Sequence, residues 1–146
     1  MKELDFTSPR QKNLIPDNDP ARFILLQQIE DALRHCWGHD TCADWEVYMW
    51  KPESPAFGQC AVTALVVQDF VGGKIIKDPD HDHYWNLADD GTEVDLSREQ
   101  FNVGVKLQAQ EDRTREYMLT SERSLKARTS ERYNTLRDRV RQILGE

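Results

Sequence analysis

Apolar residues recur at helical spacing in two separate parts of the first half of the chain. From Phe23 to Trp37 they stand three or four residues apart, which predicts a helix over about 20–37 that ends at Gly38. Residues 58–71 are apolar on almost every side, and a helix without a polar face is normally buried. We therefore expect the second helix to lie in the core.

Shorter apolar runs, separated by turn residues, follow the second helix. They predict a short strand at 74–77 and two strands of a hairpin at 81–88 and 92–96. Residues 38–57 alternate weakly between apolar and polar side chains, which favours a strand ahead of two prolines. From about 111 to 143, an apolar stripe predicts helical structure, with candidate N-caps at Ser121 and Thr129-Ser130.

This order of elements predicts an α+β fold, with a small antiparallel β-sheet packed against helices. A chain of 146 residues has the size of one domain with a real core. Residues 1–19 are rich in proline, aspartate and asparagine, which predicts an extended N-terminal arm. Residues 20–146 are then expected to form a single domain.

Composition and charge narrow the class of protein. The chain is 38% hydrophobic and 31% charged and has no apolar run of about 18 residues, so we expect no membrane partner. Its polar N-terminus lacks the apolar stretch of a secretory signal, which predicts a cytoplasmic location. A net charge of −7 argues against nucleic acid as a partner. Arginines, among them Arg132, crowd the last third, but acidic residues are interleaved with them, as expected for a solvated helix face.

Two groups of residues could suggest a metal site. Cys36, His39 and Cys42 are closely spaced, but zinc normally takes four ligands, usually as two separated pairs. Residues 78–83 combine three carboxylates with two imidazoles, a pattern more typical of a solvated acidic turn. Three cysteines in a cytosolic chain also predict no disulfide framework. We expect neither a metal nor another cofactor.

The remaining candidate chemistry centres on Cys60. Gly58 allows a tight turn before a helix-forming run, so Cys60 is predicted to lie at a helix N-terminus. The free N–H groups and the dipole of a helix start lower the pKa of a thiol and favour the reactive thiolate. The backbone N–H of Cys60 and the side chain of Gln59 are candidate donors to an oxyanion. The alternative is that Cys60 is a small buried core residue.

The predicted hairpin supplies a candidate base and a carboxylate to orient it. A two-residue turn at Asp90-Gly91 would place His83 and Asp95 on opposite faces of the sheet. A three-residue turn with a left-handed Gly91 pairs residue 85 with 95 and places both side chains on one face. The diagonal separation then allows a hydrogen bond from Nδ1 of His83 to the carboxylate. The triad hypothesis therefore predicts the three-residue turn.

Neighbouring side chains offer alternatives and supporting roles. His81 is a second candidate base, although its place in an acidic turn favours exposure. Trp85 shares the predicted face of His83 and is a candidate for substrate binding. Asn86 is another candidate, either for substrate binding or as an orienting group, but it lies on the opposite face in this register. Three tryptophans ahead of Cys60 are either core residues or walls of a cleft: Trp37, Trp45 and Trp50.

Several motifs resemble those of the YunG-like family of small bacterial proteins. They are Gly58-Gln59-Cys60-Ala61-Val62-Thr63-Ala64-Leu65-Val66-Val67-Gln68-Asp69, Gly72-Gly73, His83-Tyr84-Trp85-Asn86, Asp90-Gly91 and Asp95-Leu96-Ser97-Arg98-Glu99-Gln100-Phe101. The similarity extends back to Trp37 and Thr41 and forward to Arg132-Tyr133. It therefore covers most of the chain beyond the first twenty residues, and it brings no particular activity with it.

The order of a helix-borne cysteine, then a histidine and an aspartate on neighbouring strands, is similar to that of papain-like and transglutaminase-like enzymes. The resemblance implies such a core, with Cys60 as nucleophile, His83 as base and Asp95 as the orienting residue. The expected activity is that of a hydrolase or acyl transferase acting on an amide, ester or thioester of a small molecule, peptide or protein. The alternative is a binding domain on the same scaffold with Cys60 in its core.

Overall fold

The computed structural model describes residues 9–146, in which helices flank a group of short strands. In chain order the elements are α1 (Pro20–Cys36), α2 (Cys60–Val71), β1 (Lys74–Asp78), β2 (His83–Leu87), β3 (Glu93–Val94), β4 (Glu111–Arg113), α3 (Arg115–Thr120), α4 (Glu122–Lys126) and α5 (Thr129–Leu144). Single 3-10 turns occur at Val47–Met49 and Arg98–Gln100. The predicted α+β class with a small antiparallel sheet is confirmed.

Both helices predicted in the first half of the chain are present. The side chain of Asp19 caps α1 by accepting a hydrogen bond from the backbone of Arg22, and Pro20 occupies the first helical position. Helix α2 lies between the sheet and α5, and Val62, Leu65 and several other side chains along it have no exposed surface. The absence of a polar face on this helix is thus explained by contact on two sides.

The sheet is antiparallel, with strand order β3-β2-β1-β4. In the hairpin, Asn86 lies opposite Val94, and the backbone N–H of Ala88 donates to Thr92 at 2.8 Å. Three residues therefore form the turn, and Gly91 has a φ of +86°. This confirms the register that was predicted to place residues 83, 85 and 95 on one face.

Two segments differ from the predicted pattern. Residues 38–57 form turns and a 3-10 turn instead of a strand, because Pro52, Pro55 and the left-handed Gly58 leave no extended run long enough to pair. Residues 111–143 are largely helical, as predicted, but they begin with β4 and divide into three helices. The breaks come where Ser121 caps α4 through the backbone N–H of Ser124 and where Arg128 adopts a φ of +53°.

Residues 9–19 of the predicted arm are bound to the domain. Leu14 exchanges two backbone hydrogen bonds with Asp95, at 2.9 and 3.0 Å, and Arg10 forms a bridge with Asn102. The arm therefore fixes the backbone of residue 95 from outside the hairpin. The prediction for residues 1–8 lies outside the described part of the chain. None of the helices within residues 9–146 is long and apolar enough to cross a bilayer.

Candidate functional site

The hairpin brings His83 and Asp95 into direct contact. Nε2 of His83 lies 2.7 Å from Oδ2 of Asp95, and both side chains are fully buried. The prediction that His83 bonds Asp95 through Nδ1 is therefore wrong. Nε2 extends farther from the backbone, as the diagonal separation of the two positions requires. Nδ1 is buried without a conventional hydrogen-bond partner among residues 9–146, so it is the nitrogen left to face a second group.

Three donors hold the Asp95 carboxylate in place. Besides His83, the backbone N–H of Ser97 donates to Oδ1 at 3.1 Å, and Nε of Arg98 donates to Oδ2 at 2.9 Å. Burial would raise the pKa of Asp95, but the charges and hydrogen bonds of His83 and Arg98 outweigh it and lower the pKa. Asp95 is therefore an anion at neutral pH, despite having almost no exposed surface.

Aromatic rings fix the plane of the His83 imidazole. The ring of Trp85 stacks on it with centroids 5.3 Å apart, and Phe101 meets it edge-on at 4.8 Å. Trp85 is buried, and its indole N–H donates to Glu93. Trp85 therefore shares the predicted face but packs against the histidine.

Cys60 is the first residue of α2, as expected from the sequence. Its sulfur lies 3.7 Å from the carbonyl oxygen of Asp82, the residue just before His83. The side chain of Gln59 makes no capping hydrogen bond with the first turn, whose N–H groups have no intrahelical acceptors. The thiol therefore lies at the positive end of the helix.

Cys60 and Asp95 both raise the pKa of the His83 imidazole. Burial alone would lower the pKa of His83, but the Asp95 carboxylate and the Cys60 side chain outweigh it and raise the pKa from 6.5 to about 9. At neutral pH the imidazole is therefore protonated, with a carboxylate on one side and the cysteine on the other. The structure thus brings together all three residues of the predicted triad.

A small cavity of about 30 Å³ opens beside Cys60. Helices α3 and α4 cover it, and Arg123 of α4 closes one side through a 2.6 Å ion pair with Asp82. The Arg123 guanidinium also lies 5.0 Å from the ring centroid of Trp45. Other lining residues are Tyr84, Tyr117, Met118, Ser124, Thr129 and Arg132.

None of the three residues predicted to bind the oxyanion or the substrate lines this cavity: Gln59, Trp85 and Asn86. Nε2 of Gln59 donates to the carbonyl oxygen of Gly38 at 3.1 Å. Nδ2 of Asn86 donates to the carbonyl oxygen of Ala64 at 2.9 Å. Both side chains are buried and join α2 to its surroundings, so this geometry gives no support to an oxyanion or substrate role for either.

The remaining candidates from the sequence lie elsewhere. His81 bonds the carboxylate of Asp78 at 2.9 Å. Within residues 9–146, no three histidine, cysteine, aspartate or glutamate side chains are grouped so that they could hold a metal ion, and this includes Cys36, His39 and Cys42. All three cysteines are free thiols.

Sequence reasoning missed several polar residues around Cys60. Nζ of Lys77 lies 3.1 Å from the hydroxyl of Tyr84 and 3.3 Å from the Asp82 carboxylate. Tyr84 alternates with the predicted histidine and tryptophan, and this alternation was the available signal that it faces α2. Arg132 was grouped with the solvated arginines of the last third, which is wrong, because only 3% of it is exposed. Its part in the resembling Arg132-Tyr133 motif was the signal that set it apart.

Comparison with known proteins places these residues in a family. Residues 25–145 match the family model described as YunG protein. The chain belongs to the YunG family. It is 32% identical over 85 residues to "Uncharacterized protein YunG" of Bacillus subtilis (strain 168), which covers 57% of this chain and 69% of the relative. The region matched to the family contains α2, the whole sheet and α5, and therefore Cys60, His83 and Asp95.

No solved structure matches this chain. The expected papain-like or transglutaminase-like core therefore has no support from structural neighbours. The structure shows only the α+β class, with a four-stranded antiparallel sheet packed against helices.

Proposed function

We propose that this YunG-family protein is a cysteine-dependent hydrolase or acyl transferase that acts on an amide, ester or thioester through Cys60, His83 and Asp95. The observation that carries the proposal is the buried His83 imidazole, bonded to Asp95 at 2.7 Å through Nε2 and under the influence of Cys60. A nucleophile, a base and an orienting carboxylate in this order are the parts that thiol catalysis requires.

The raised pKa of His83 determines how the reaction begins. Since the imidazole is protonated at neutral pH, Cys60 reacts as a thiolate paired with it. The sulfur attacks the carbonyl carbon, the C–S bond forms, and the carbonyl electrons move to oxygen. Collapse of this oxyanion breaks the bond to the leaving group, which takes the proton from Nδ1 of His83.

The second half of the reaction restores the resting pair. Neutral His83 removes a proton from water, or from another acceptor nucleophile, which attacks the thioester. The C–S bond breaks, and Cys60 leaves as a thiolate beside the reprotonated imidazole. Water as nucleophile gives hydrolysis, whereas an amine, alcohol or thiol gives acyl transfer.

We propose the Tyr84 hydroxyl as a donor to the oxyanion, together with the backbone N–H of Cys60. The ammonium of Lys77 has no acceptor atom, so it must donate to the Tyr84 oxygen at 3.1 Å. The tyrosine proton is then directed elsewhere, and Tyr84 lines the cavity beside Cys60. This assignment takes the place of the Gln59 side chain, whose amide nitrogen bonds to Gly38.

The chain order offers further support for a thiol enzyme. A cysteine at a helix start, followed by a histidine and an aspartate on neighbouring strands, has the order found in papain-like and transglutaminase-like enzymes. We therefore propose a functional similarity of the catalytic parts to those enzymes. The four-stranded sheet and the position of α2 supply the scaffold for it.

Alkylation tests whether Cys60 is an activated nucleophile. At pH 6 we expect iodoacetamide to modify Cys60 at least tenfold faster than Cys36, Cys42 or free cysteine, because a thiolate reacts and a thiol does not. His83→Ala should remove this advantage. His81→Ala is the matched control, since His81 bonds Asp78, and it should leave the rate unchanged. Peptide mass spectrometry assigns the modified cysteine.

The same measurement separates the enzyme from a binding domain. Cys60 is only 5% exposed, as expected if it were a core residue of a binding domain. In that case Cys60 would react no faster than Cys36 or Cys42, and His83→Ala would change nothing. That result would overturn the proposed function.

A further inference from the structure

Arg132 is a buried cation at the start of α5. Its guanidinium donates from Nε to the carbonyl oxygen of Ala127 at 2.9 Å and from Nη1 to that of Thr41 at 3.0 Å. A longer bond of 3.4 Å joins Nη2 to the hydroxyl of Thr129. A guanidinium has five N–H groups, so two of them have no acceptor among residues 9–146. Every acceptor it does have is neutral.

No carboxylate pairs with Arg132 within the described chain. Asp44 acts on it only at longer range and is bonded to Arg128 at 2.9 Å. Arg139 of the same helix pairs with Asp40. Since only 3% of Arg132 is exposed, its charge has lost most of its water without gaining a bonded carboxylate, an arrangement that proteins normally avoid.

The buried guanidinium faces the same cavity as the proposed nucleophile. Arg132, Thr129 and Cys60 all line it, and Nη2 of Arg132 lies 3.4 Å from the hydroxyl of Thr129. The volume of about 30 Å³ holds a group of a few atoms and excludes a large side chain. A carboxylate fits this space and matches the planar geometry of a guanidinium.

Two arginines line the cavity, Arg123 and Arg132. Two carboxylates line it, those of Glu46 and Asp82. Asp82 is neutralised by Lys77 at 3.3 Å and by Arg123 at 2.6 Å. Of the two arginines that line the cavity, Arg123 therefore has a carboxylate partner, whereas Arg132 has none in residues 9–146.

We propose that Arg132 binds a carboxylate of the substrate in this cavity, while the carbonyl carbon that reacts lies at Cys60. The proposal rests on the proposed function and narrows its substrate class. The substrate is an amide, ester or thioester whose acyl part carries a carboxylate a short distance from the scissile carbonyl.

Two alkylating reagents that differ in charge test this proposal on the wild-type chain. Iodoacetate carries a carboxylate next to the reacting carbon, and iodoacetamide is its neutral analogue. We expect the ratio of their rates at Cys60 to exceed the ratio for free cysteine by about tenfold, the order of one charge-assisted hydrogen bond. A ratio equal to that of free cysteine overturns the proposal.

Variants separate Arg132 from the imidazolium of His83, which also attracts an anion. Arg132→Met should lower the ratio about tenfold, and the ratio cancels any change in the reactivity of the Cys60 thiolate that both reagents share. Arg141→Met is the matched control, because it removes the same charge from an exposed position of α5. If the ratio of the iodoacetate rate to the iodoacetamide rate were equal in the two variants, Arg132 would have only a structural role.

A second measurement needs no variant and so does not depend on the folding of Arg132→Met. Propionate should protect wild-type Cys60 from iodoacetamide, whereas propionamide, which has the same shape, should not. Equal protection, or none from either, contradicts the carboxylate site. The rate of Cys60 with iodoacetamide alone reports on the thiolate, so failure of the proposed function would appear as a low rate. Failure of the carboxylate site would appear instead in the ratio of the two alkylation rates and in the protection by propionate.

Discussion

The Asp95 carboxylate receives hydrogen bonds from three sides, and its effect on His83 can be tested by a single substitution. Asp95→Asn keeps the shape but removes the charge that raises the pKa of His83. We expect alkylation of Cys60 by iodoacetamide at pH 6 to slow about tenfold, because one pKa unit corresponds to a tenfold change in protonation. Asp78→Asn is the control, since Asp78 is also a buried carboxylate but bonds a different histidine, the partly exposed His81. Equal rates in the two variants would contradict the role of Asp95.

Tyr84→Phe distinguishes acyl chemistry from simple thiol reactivity. Alkylation forms no oxyanion, so its rate at Cys60 should remain close to that of wild type. Acylation by p-nitrophenyl acetate does form one, and loss of a donor should slow the release of nitrophenol by about 100-fold. A proportional loss in both reactions would indicate a structural role for Tyr84.

At the scale of single residues, the sequence predicted a charged pair only where both side chains lie on one regular hairpin. Alternation in the hairpin was enough to pair His83 with Asp95. It could not identify Arg132 as buried, because the acceptors of that side chain are the carbonyl oxygens of Ala127 and Thr41. Those contacts depend on how α5 meets a distant loop.

At the scale of elements, two left-handed glycines allow a matched test of the packing around the sheet. Gly73 and Gly91 have φ values of +74° and +86°. A Cβ on Gly91 would meet nothing within 4 Å, whereas one on Gly73 would collide with the carbonyl oxygen of Leu87. We expect Gly91→Ala to lower the free energy of unfolding by about 1–2 kcal/mol.

Gly73→Ala should cost more, on the order of 3–4 kcal/mol, because overpacking adds to the same backbone strain. Urea denaturation measures both differences. Similar losses in the two variants would contradict the close approach of the α2–β1 connection to β2.

The elements that could be predicted are those whose signals are local. The cap and proline at the start of α1 and the glycine turn of the hairpin lie next to the structures they determine. The formation of β4 depends on a more distant partner. Residues 111–113 form a strand because they pair with the outer edge of β1, with Ile75 opposite Arg113.

At the scale of the whole molecule, the buried pair makes stability depend on pH. The pKa of His83 is raised from 6.5 to about 9 by folding, so its contribution is fully present below pH 6.5 and is lost as pH rises through about 9. We expect the free energy of unfolding to fall by on the order of 3 kcal/mol across this window, at about 1.4 kcal/mol for each pKa unit.

The variant His83→Gln provides the reference for this measurement. It lacks the titrating group, so the difference between wild type and variant isolates the contribution of His83. Urea titrations between pH 6 and 9.5 give both curves. A difference that stays constant or grows with rising pH would contradict the raised pKa.

The lowered pKa of Asp95 affects stability only in the acid range. Its contribution to the free energy of unfolding is lost as pH falls below 3.8.

The whole fold also shows why the candidate site could be only partly predicted. The triad residues lie on α2 and the hairpin, and their spacing along the chain suggested a meeting point. The cavity is covered by α3 and α4, which follow the hairpin by twenty residues or more and carry no motif for such a role. The substrate-facing residues are therefore a product of tertiary packing.

The pH dependence of Cys60 alkylation tests the central claim most directly, because it reports whether the thiolate and the imidazolium exist together. For wild type, we predict a rate with iodoacetamide that is already high at pH 6 and stays level to about pH 8, and it should change only as His83 loses its proton near pH 9. A rate that is negligible at pH 6 and rises about tenfold per pH unit toward the ordinary thiol pKa of about 8.5 would contradict it.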